Sequence, residues 1–321
     1  MPGDLTAVCD ISEQPAYADY AEFTAAGGNA TDNCSIDASS FILVSEVSDA
    51  GSCPEIVTRT YRIADDCGNT VDYIQTITID DDTSPTFDAV PGDLTAQCDI
   101  SEQPAYADYA EFTAAGGSAT DNCGIDASSF ILVSEVSDAG SCPEIVTRTY
   151  RIADDCGNTV DYVQTITIED ITAPVISDCP VDINVSADAG SCDAAVSWTE
   201  PTATDNCSLD DFSSSHTPGS TFSVGTTTVT YTATDDCGNT SLCSFDVTVT
   251  DDEAPLITSC APDSTISADN NCEALMPDLT GEIVATDNCS GSITITQIPA
   301  AATVITDRCY TGYNNCNGCR W

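Results

Sequence analysis

The stretch Thr60-Tyr61-Arg62-Ile63-Ala64-Asp65-Asp66-Cys67-Gly68-Asn69-Thr70 returns unchanged at 149–159, and again as Thr230-Tyr231-Thr232-Ala233-Thr234-Asp235-Asp236-Cys237-Gly238-Asn239-Thr240. Each copy opens with alternating β-formers, which suit a half-buried strand, and closes in an Asp-Asp-Cys-Gly-Asn-Thr cluster that cannot continue one. Gly and Asn tolerate positive φ, so the cluster predicts a tight turn. A second alternating run follows at 71–79, 160–168 and 242–249, and the whole unit predicts a β-hairpin. Upstream of each hairpin stands Ala-Thr-Asp-Asn-Cys, at 30–34, 119–123 and 203–207, with a fourth copy at 285–289. The chain is a tandem array.

Positions 2–79 match 91–168 at an offset of 89, differing only at Val8/Gln97, Asn29/Ser118, Ser35/Gly124 and Ile74/Val163. A third, diverged unit follows, and then a fourth that is diverged and incomplete. The expected domains are 1–83, 84–172, 173–253 and 254–321. Units of this size bury a modest core and gain considerably from cross-links. Within the first unit, strands are expected at 4–9, 41–47, 55–64 and 71–79, with 15–23 forming either one helical turn or an irregular strand. Short strands with a turn signal every eight to twelve residues point to an antiparallel sandwich. Junctions near 82–85, 171–174 and 252–255 are short and carry proline, so an elongated rod is expected.

The charge balance is extreme, with 53 acidic residues against six arginines and no lysine, for a net charge of −47. Nothing can neutralise phosphates, which excludes nucleic acid and anionic membrane surfaces as partners. Such a charge keeps neighbouring chains apart and attracts counter-ions. Nineteen cysteines recurring in register imply an oxidising compartment. No apolar run is long enough to span a bilayer, so no membrane insertion is expected of this segment. Met1-Pro2-Gly3-Asp4-Leu5 aligns with Val90-Pro91-Gly92-Asp93-Leu94. The chain is therefore expected to begin inside a repeat, as a fragment of a larger secreted protein, with Met1 arising from a valine codon read as a start.

Enzymatic readings fare badly. His216 is the only histidine, in a Ser-Ser-Ser-His-Thr-Pro loop that suits a surface residue rather than a triad base. Paired carboxylates abound, but without the aromatic cleft signals of a glycosidase. Lysine–asparagine isopeptide cross-links are impossible without lysine. Tyr61, Tyr150 and Tyr231 are expected as core or corner residues, and Trp198 in the core.

The third unit carries the most specific signal. Ala173-Pro174-Val175-Ile176 leads to Cys179-Pro180-Val181-Asp182-Ile183, Trp198 and Pro201-Thr202-Ala203-Thr204-Asp205-Asn206. Phe222-Ser223-Val224-Gly225, Val229-Thr230-Tyr231-Thr232-Ala233-Thr234-Asp235 and Cys243-Ser244-Phe245 complete it. This unit resembles the hyalin repeat (HYR) family along its whole length. The first two units share the Asp-Asn-Cys and Asp-Asp-Cys-Gly-Asn elements but lack the Cys-Pro opening and the Trp, and so resemble a relative of that repeat. The resemblance implies immunoglobulin-like or fibronectin-III-like β-sandwiches in extracellular adhesive proteins, including large surface proteins of Bacteroidota-like bacteria. Residues 307–321 depart from the pattern where a strand is due. Shifting the reading frame by one base can restore that strand, so this tail is expected to be a frameshift product.

The fold implied by the resemblance sets the Asp-Asn-Cys and Asp-Asp-Cys-Gly-Asn loops at one pole of each unit. It thereby pairs Cys34 with Cys67, Cys123 with Cys156 and Cys207 with Cys237. The other cysteines of the first two units then meet at the opposite pole, as Cys9–Cys53 and Cys98–Cys142. In the third unit Cys179 pairs with Cys243 across adjacent first and last strands. Cys192 is left over, open to a bond with another chain or to a different pairing within its unit. The same geometry gathers acids at the junctions: Asp80, Asp81 and Asp82 with Asp121, Asp154 and Asp155. At the next two it gathers Glu169 and Asp170 with Asp205, Asp235 and Asp236, and then Asp251, Asp252 and Glu253 with Asp287. Converging carboxylates suit Ca²⁺, which takes six to eight oxygens in flexible geometry; solvated turn aspartates are the alternative.

The function expected from these features is structural and adhesive: a spacer array that presents binding regions and contacts copies of itself or extracellular protein or glycan ligands. A non-catalytic stalk of a secreted enzyme and a protomer of a self-assembling fibre are the alternatives.

Overall fold

The computed structural model describes residues 1–306 apart from 263, 265, 268, 270, 272 and 290, so the expected frameshift tail lies outside the described residues. The chain divides into two compact units between Ile171 and Thr172. In the first, the expected hairpin forms in both copies. Strands β3 (Glu55–Asp65) and β4 (Thr70–Ile79) pair antiparallel from Glu55↔Ile79 to Ala64↔Thr70. Strand β1 (Leu5–Ala7) lies parallel to β4, and β2 (Ile36–Ser48) flanks β3, giving the sheet order β1-β4-β3-β2. Gly68 adopts φ +85° in the turn, as the Asp-Asp-Cys-Gly-Asn cluster requires.

The segment between β1 and β2 resolves as helix α1, Tyr20–Ala25. Asp19 caps it by accepting a hydrogen bond from the Glu22 N–H at 2.9 Å. Its apolar anchor is Phe23, buried among Tyr17, Tyr20, Phe41, Tyr61 and Tyr73. The chain returns so closely over this ring that a Cβ on Gly28 would stand 2.4 Å from Phe23 Cε1. Under the same layer lies Gln75, fully buried, its Nε2 donating to Gly3 O at 3.1 Å and to Tyr17 Oη at 3.3 Å. Arg59 is buried too, and its charge is matched by Glu46 at 2.5 Å and by the Gln14 carbonyl at 2.6 Å.

The second copy repeats this arrangement and adds an element. Strand β5 (Thr86–Ala89) precedes β6 (Leu94–Ala96), helix α2 (Tyr109–Ala114) and β7 (Ser118–Thr120). Strands β8 (Ile125–Ser137), β9 (Glu144–Asp154) and β10 (Thr159–Ile168) follow, in the sheet order β6-β10-β9-β8. The β5–β7 pair joins α2 in a layer over that sheet, enclosing Phe112, Phe130, Tyr150 and Tyr162 with Phe87 packed against them. In this unit the sandwich is thus one four-stranded sheet faced by a short helix and, in the second copy, a two-stranded ribbon.

The second compact unit is β throughout its first part. Strands β11 (Val175–Ser177), β12 (Ile183–Ser186), β13 (Asp193–Val196) and β14 (Thr202–Thr204) precede β15 (Leu209–Ser214), β16 (Ser220–Ser223), β17 (Gly225–Asp235) and β18 (Thr240–Thr250). They form the sheet β12-β18-β17-β15 and the pairs β11–β14 and β13–β16. Between these layers sit Phe222, Val229, Tyr231, Phe245, Val247 and Val249. Trp198 is half-buried at the edge of this core, and its indole N–H donates to Tyr231 Oη at 2.8 Å. Two further pairs follow, β19 (Leu256–Ser259) with β21 (Val284–Thr286) and β20 (Glu273–Leu275) with β22 (Val304–Thr306). The protein is all-β in class, a tandem array of immunoglobulin-like sandwiches. Among the described residues no helix is long and apolar enough to cross a membrane.

Candidate functional site: a joint between consecutive repeats

The two copies in the first compact unit are joined covalently. Cys9, just past the end of β1, is bonded to Cys123 of the second copy with Cα atoms 5.0 Å apart. Cys53, in the turn before β3, is bonded to Cys156 with Cα atoms 5.2 Å apart. This corrects the expected Cys9–Cys53 and Cys123–Cys156 bonds. The loop cysteines of the second copy face the preceding repeat rather than each other. The expected Cys34–Cys67 bond is likewise absent; both thiols are free and exposed. Cys98, Cys142, Cys207 and Cys237 are disulfide-bonded. Cys179–Cys243 forms as expected, with Cα atoms 6.0 Å apart.

Each of the four cysteines joining the two copies sits in a turn shaped by a carboxylate. Asp10 and Glu13 form a capping box on the turn Ile11–Glu13. The Glu13 carboxylate accepts from the Val8, Cys9 and Asp10 N–H groups at 2.9, 2.7 and 3.2 Å, fixing the backbone that carries Cys9. These bonds, that from Val8 foremost, hold the Glu13 carboxyl below its ordinary range. Asp49 accepts from Gly51 and Ile56 N–H, both at 2.9 Å, and shapes the turn holding Cys53. Asp121 accepts from the Cys123 N–H at 2.9 Å, and Asp154 from the Cys156 and Asn158 N–H groups at 2.9 and 2.8 Å. The sequence reading missed Glu13, although Asp10-Ile11-Ser12-Glu13 carries the spacing of a capping box.

The linker threads between these staples. Asp81 is 3% exposed. Its Oδ1 accepts from Thr83 N–H at 3.0 Å and from Asn122 Nδ2 at 3.2 Å, while its carbonyl accepts from Asn158 Nδ2 at 2.8 Å. The Thr83 bond is the main reason its carboxyl sits below the usual range, with burial opposing it. The other Asp81 oxygen, Oδ2, and Asp121 Oδ2 are both buried without a donor. One oxygen of each, with Cys123 Sγ, lies within 4.8 Å of the others. The second oxygens of these two carboxylates, buried without donors, fit a hard cation, and the disulfide-bonded sulfur offers it no thiolate.

The remaining expected acids divide by their surroundings. Asp80, Asp82 and Asp155 are exposed, so three of the six acids expected at this joint face solvent. Asp154 is buried, but its second oxygen is also taken, by Asn158 Nδ2 at 2.8 Å; its carboxylate closes its own turn. Asp235 does the same, accepting from Cys237 and Asn239 N–H at 2.9 and 2.8 Å. Although burial works against it, these bonds hold the Asp235 carboxyl below its ordinary range. Glu169 is exposed and Asp170 buried; Asp205 accepts from the Cys207 N–H at 2.9 Å, and Asp236 accepts from the Ser208 hydroxyl. In the second compact unit Asp252 accepts from Ser186, and Glu253 accepts from Gly190 N–H at 2.9 Å and Asn288 Nδ2 at 2.7 Å. Asp251 accepts from Glu253 N–H at 3.2 Å, and Asp287 from Cys289 N–H at 2.9 Å.

Residues 169–249 match the HYR domain, and residues 102–168 match the HYR-like domain with 4 cysteines. Hyalin of Strongylocentrotus purpuratus is 34% identical over 200 residues, covering 59% of this chain and 16% of that protein. Hyalin of Lytechinus variegatus is 31% identical over 244 residues, covering 73% of this chain and 43% of that protein. The chain therefore spans less than half the length of these relatives. Drosophila N-cadherin EC1-3 aligns with 78% of this chain and 99% of its own at 11% identity and a TM-score of 0.30. The protocadherin gammaB7 EC3-6 cis-dimer structure aligns with 87% and 86% at a TM-score of 0.28. The bacterial setting implied by the sequence resemblance finds no support among these proteins. The chain is thus similar to the HYR domain over 169–249, to the HYR-like domain over 102–168, and to hyalin over part of that protein's length.

Proposed function

We propose that this chain is a stretch of an extracellular or cell-surface adhesive protein, in which covalently stapled repeats space and present binding surfaces. The observation that carries this reading is the pair of bonds Cys9–Cys123 and Cys53–Cys156, which fasten one repeat to the next at two points. Two cross-links at one joint remove relative rotation of the repeats, a property useful to a spacer and of no use to a flexible tether. Disulfides in this number suit the oxidising space outside the cell. No enzymatic role is proposed.

Calcium is the cofactor that this reading assigns to the joint. Asp81 and Asp121 would hold it through the buried oxygens that lack donors, with water completing the shell. The bound ion would supply the positive charge that the two facing carboxylates lack, stiffening the joint further. Calorimetric titration of the full chain with Ca²⁺ tests this. Asp81→Asn and Asp121→Asn should each weaken binding by about tenfold or more, since affinity follows ligand charge. Unchanged heats in both variants would remove calcium from the account.

Neighbouring copies of the chain, or extracellular protein and glycan ligands, are the proposed partners. Strands β2 and β8 are sheet edges, and they expose Ile42, Val44 and Val47, and Ile131, Val133 and Val136. An edge with exposed β-branched residues offers unpaired backbone groups to an added strand. Val47→Lys with Val136→Lys should abolish concentration-dependent association measured by sedimentation; undiminished association would exclude these edges.

A further inference from the structure

Cys192 and Cys289 are free thiols, yet each lies against the backbone that carries the other. The Cys192 thiol donates to the carbonyl of Asn288, the residue before Cys289. The Cys289 thiol donates at 3.2 Å to the carbonyl of Ser191, the residue before Cys192. Asn288 Nδ2 adds a bond to the same Ser191 carbonyl at 3.0 Å, and Glu253 fastens both segments by accepting from Gly190 N–H and from Asn288 Nδ2. The two segments are held side by side with their sulfurs between them.

The bonded pair at the first joint has the same surroundings. Cys9 Sγ lies 3.4 Å from the carbonyl of Asn122, the residue before Cys123. Cys123 and Cys289 both close an Asp-Asn-Cys loop, with the preceding Asp accepting the cysteine N–H at 2.9 Å in each case. Their partners also leave equivalent places. β1 and β12 each run parallel to the last strand of their sheet, and Cys9 and Cys192 follow those strands in the next turn. Cys192 stands six residues beyond β12 where Cys9 stands two beyond β1, a turn four residues longer.

We propose that Cys192 and Cys289 form a disulfide, a staple between the third and fourth repeats built on the plan of Cys9–Cys123. The bond requires an oxidant, here an oxidised dithiol carrier of the kind that acts on secreted proteins. One chain thiolate attacks the carrier disulfide, and the second displaces the carrier sulfur. The two thiol protons and two electrons leave with the reduced carrier. The proposal is independent of calcium and leaves the first joint unchanged.

Non-reducing peptide mapping of the full chain, refolded with a glutathione redox pair and then alkylated, tests it. A cross-linked species joining the peptides of Cys192 and Cys289, lighter than the two alkylation-free peptides by two hydrogen atoms, is expected. Cys192→Ser and Cys289→Ser should each abolish that species and expose one additional alkylatable thiol. Recovery of Cys192 as an alkylated thiol, or in a bond to any other cysteine or to a second chain, would overturn the proposal. Because the wild-type map is itself decisive, a variant that fails to fold does not blunt the test.

Discussion

Removing the two staples one at a time separates bonds between repeats from bonds within them. Replacing Cys9 and Cys123 by serine deletes one bond, and replacing Cys53 and Cys156 deletes the other. The bonds close loops of 114 and 103 residues, and in chain-entropy accounting a loop near 100 residues is worth about 4.7 kcal/mol at 25 °C. With one bond in place, the other closes a ring through 9–53 and 123–156 only, which lowers its value slightly, to about 4.5 kcal/mol. Each paired replacement should therefore cost about 4–5 kcal/mol, and all four together about 9 kcal/mol. Urea unfolding followed by tyrosine fluorescence and far-UV dichroism gives these values. Bonds within repeats predict a different pattern, because either paired replacement would then already break both bonds. A paired variant as unstable as the fourfold one would refute the inter-repeat assignment.

Two other outcomes follow from the packing and the electrostatics. Phe112 is fully buried beneath Gly117, where a Cβ would stand 2.3 Å from its ring; Phe112→Ala should cost about 3–5 kcal/mol and Gly117→Ala about 1–3 kcal/mol, read from urea midpoints. The carboxyls of Glu13, Asp49, Asp65 and Asp81 are held below their ordinary values, chiefly by N–H bonds from Val8, Ile56 and Thr83 and, for Asp65, by a side-chain bond from Asn69. Groups depressed in the fold contribute stability that is fully present above their unfolded values, near pH 4, and lost as pH falls through the lower folded ones. A dichroism titration should therefore show a plateau above about pH 5 and unfolding below about pH 4; a maximum of stability at pH 3 would contradict the assignment.

Local chemistry made much of this fold legible. The strands at 55–64 and 71–79 and the turn between them were readable because alternation and an Asp-Asp-Cys-Gly-Asn cluster act within a few residues. Helix α1 was only half visible, since one short turn of Tyr20 and Phe23 fits a strand as well as a helix, and Asp19 as cap decides it. Cys179–Cys243 was readable, but the partners of Cys9, Cys53, Cys123 and Cys156 were not. Cys34 and Cys123 sit in the same motif, yet one is free and the other bonded, because partner choice depends on what the neighbouring repeat presents. At the candidate cation site the acids Asp81 and Asp121 were named with four others. Composition could not separate a carboxylate with an unpartnered oxygen from one, such as Asp154, consumed by its own turn.

The covalent joint itself is open to a direct cut. A protease site introduced at 82–84, between the last strand of the first repeat and Pro85, severs the main chain at the linker. Under denaturing, non-reducing conditions the cut chain should migrate as one species, held by Cys9–Cys123 and Cys53–Cys156, and should separate into two fragments only after reduction. Two fragments before reduction would show that the repeats are not stapled and would contradict the account.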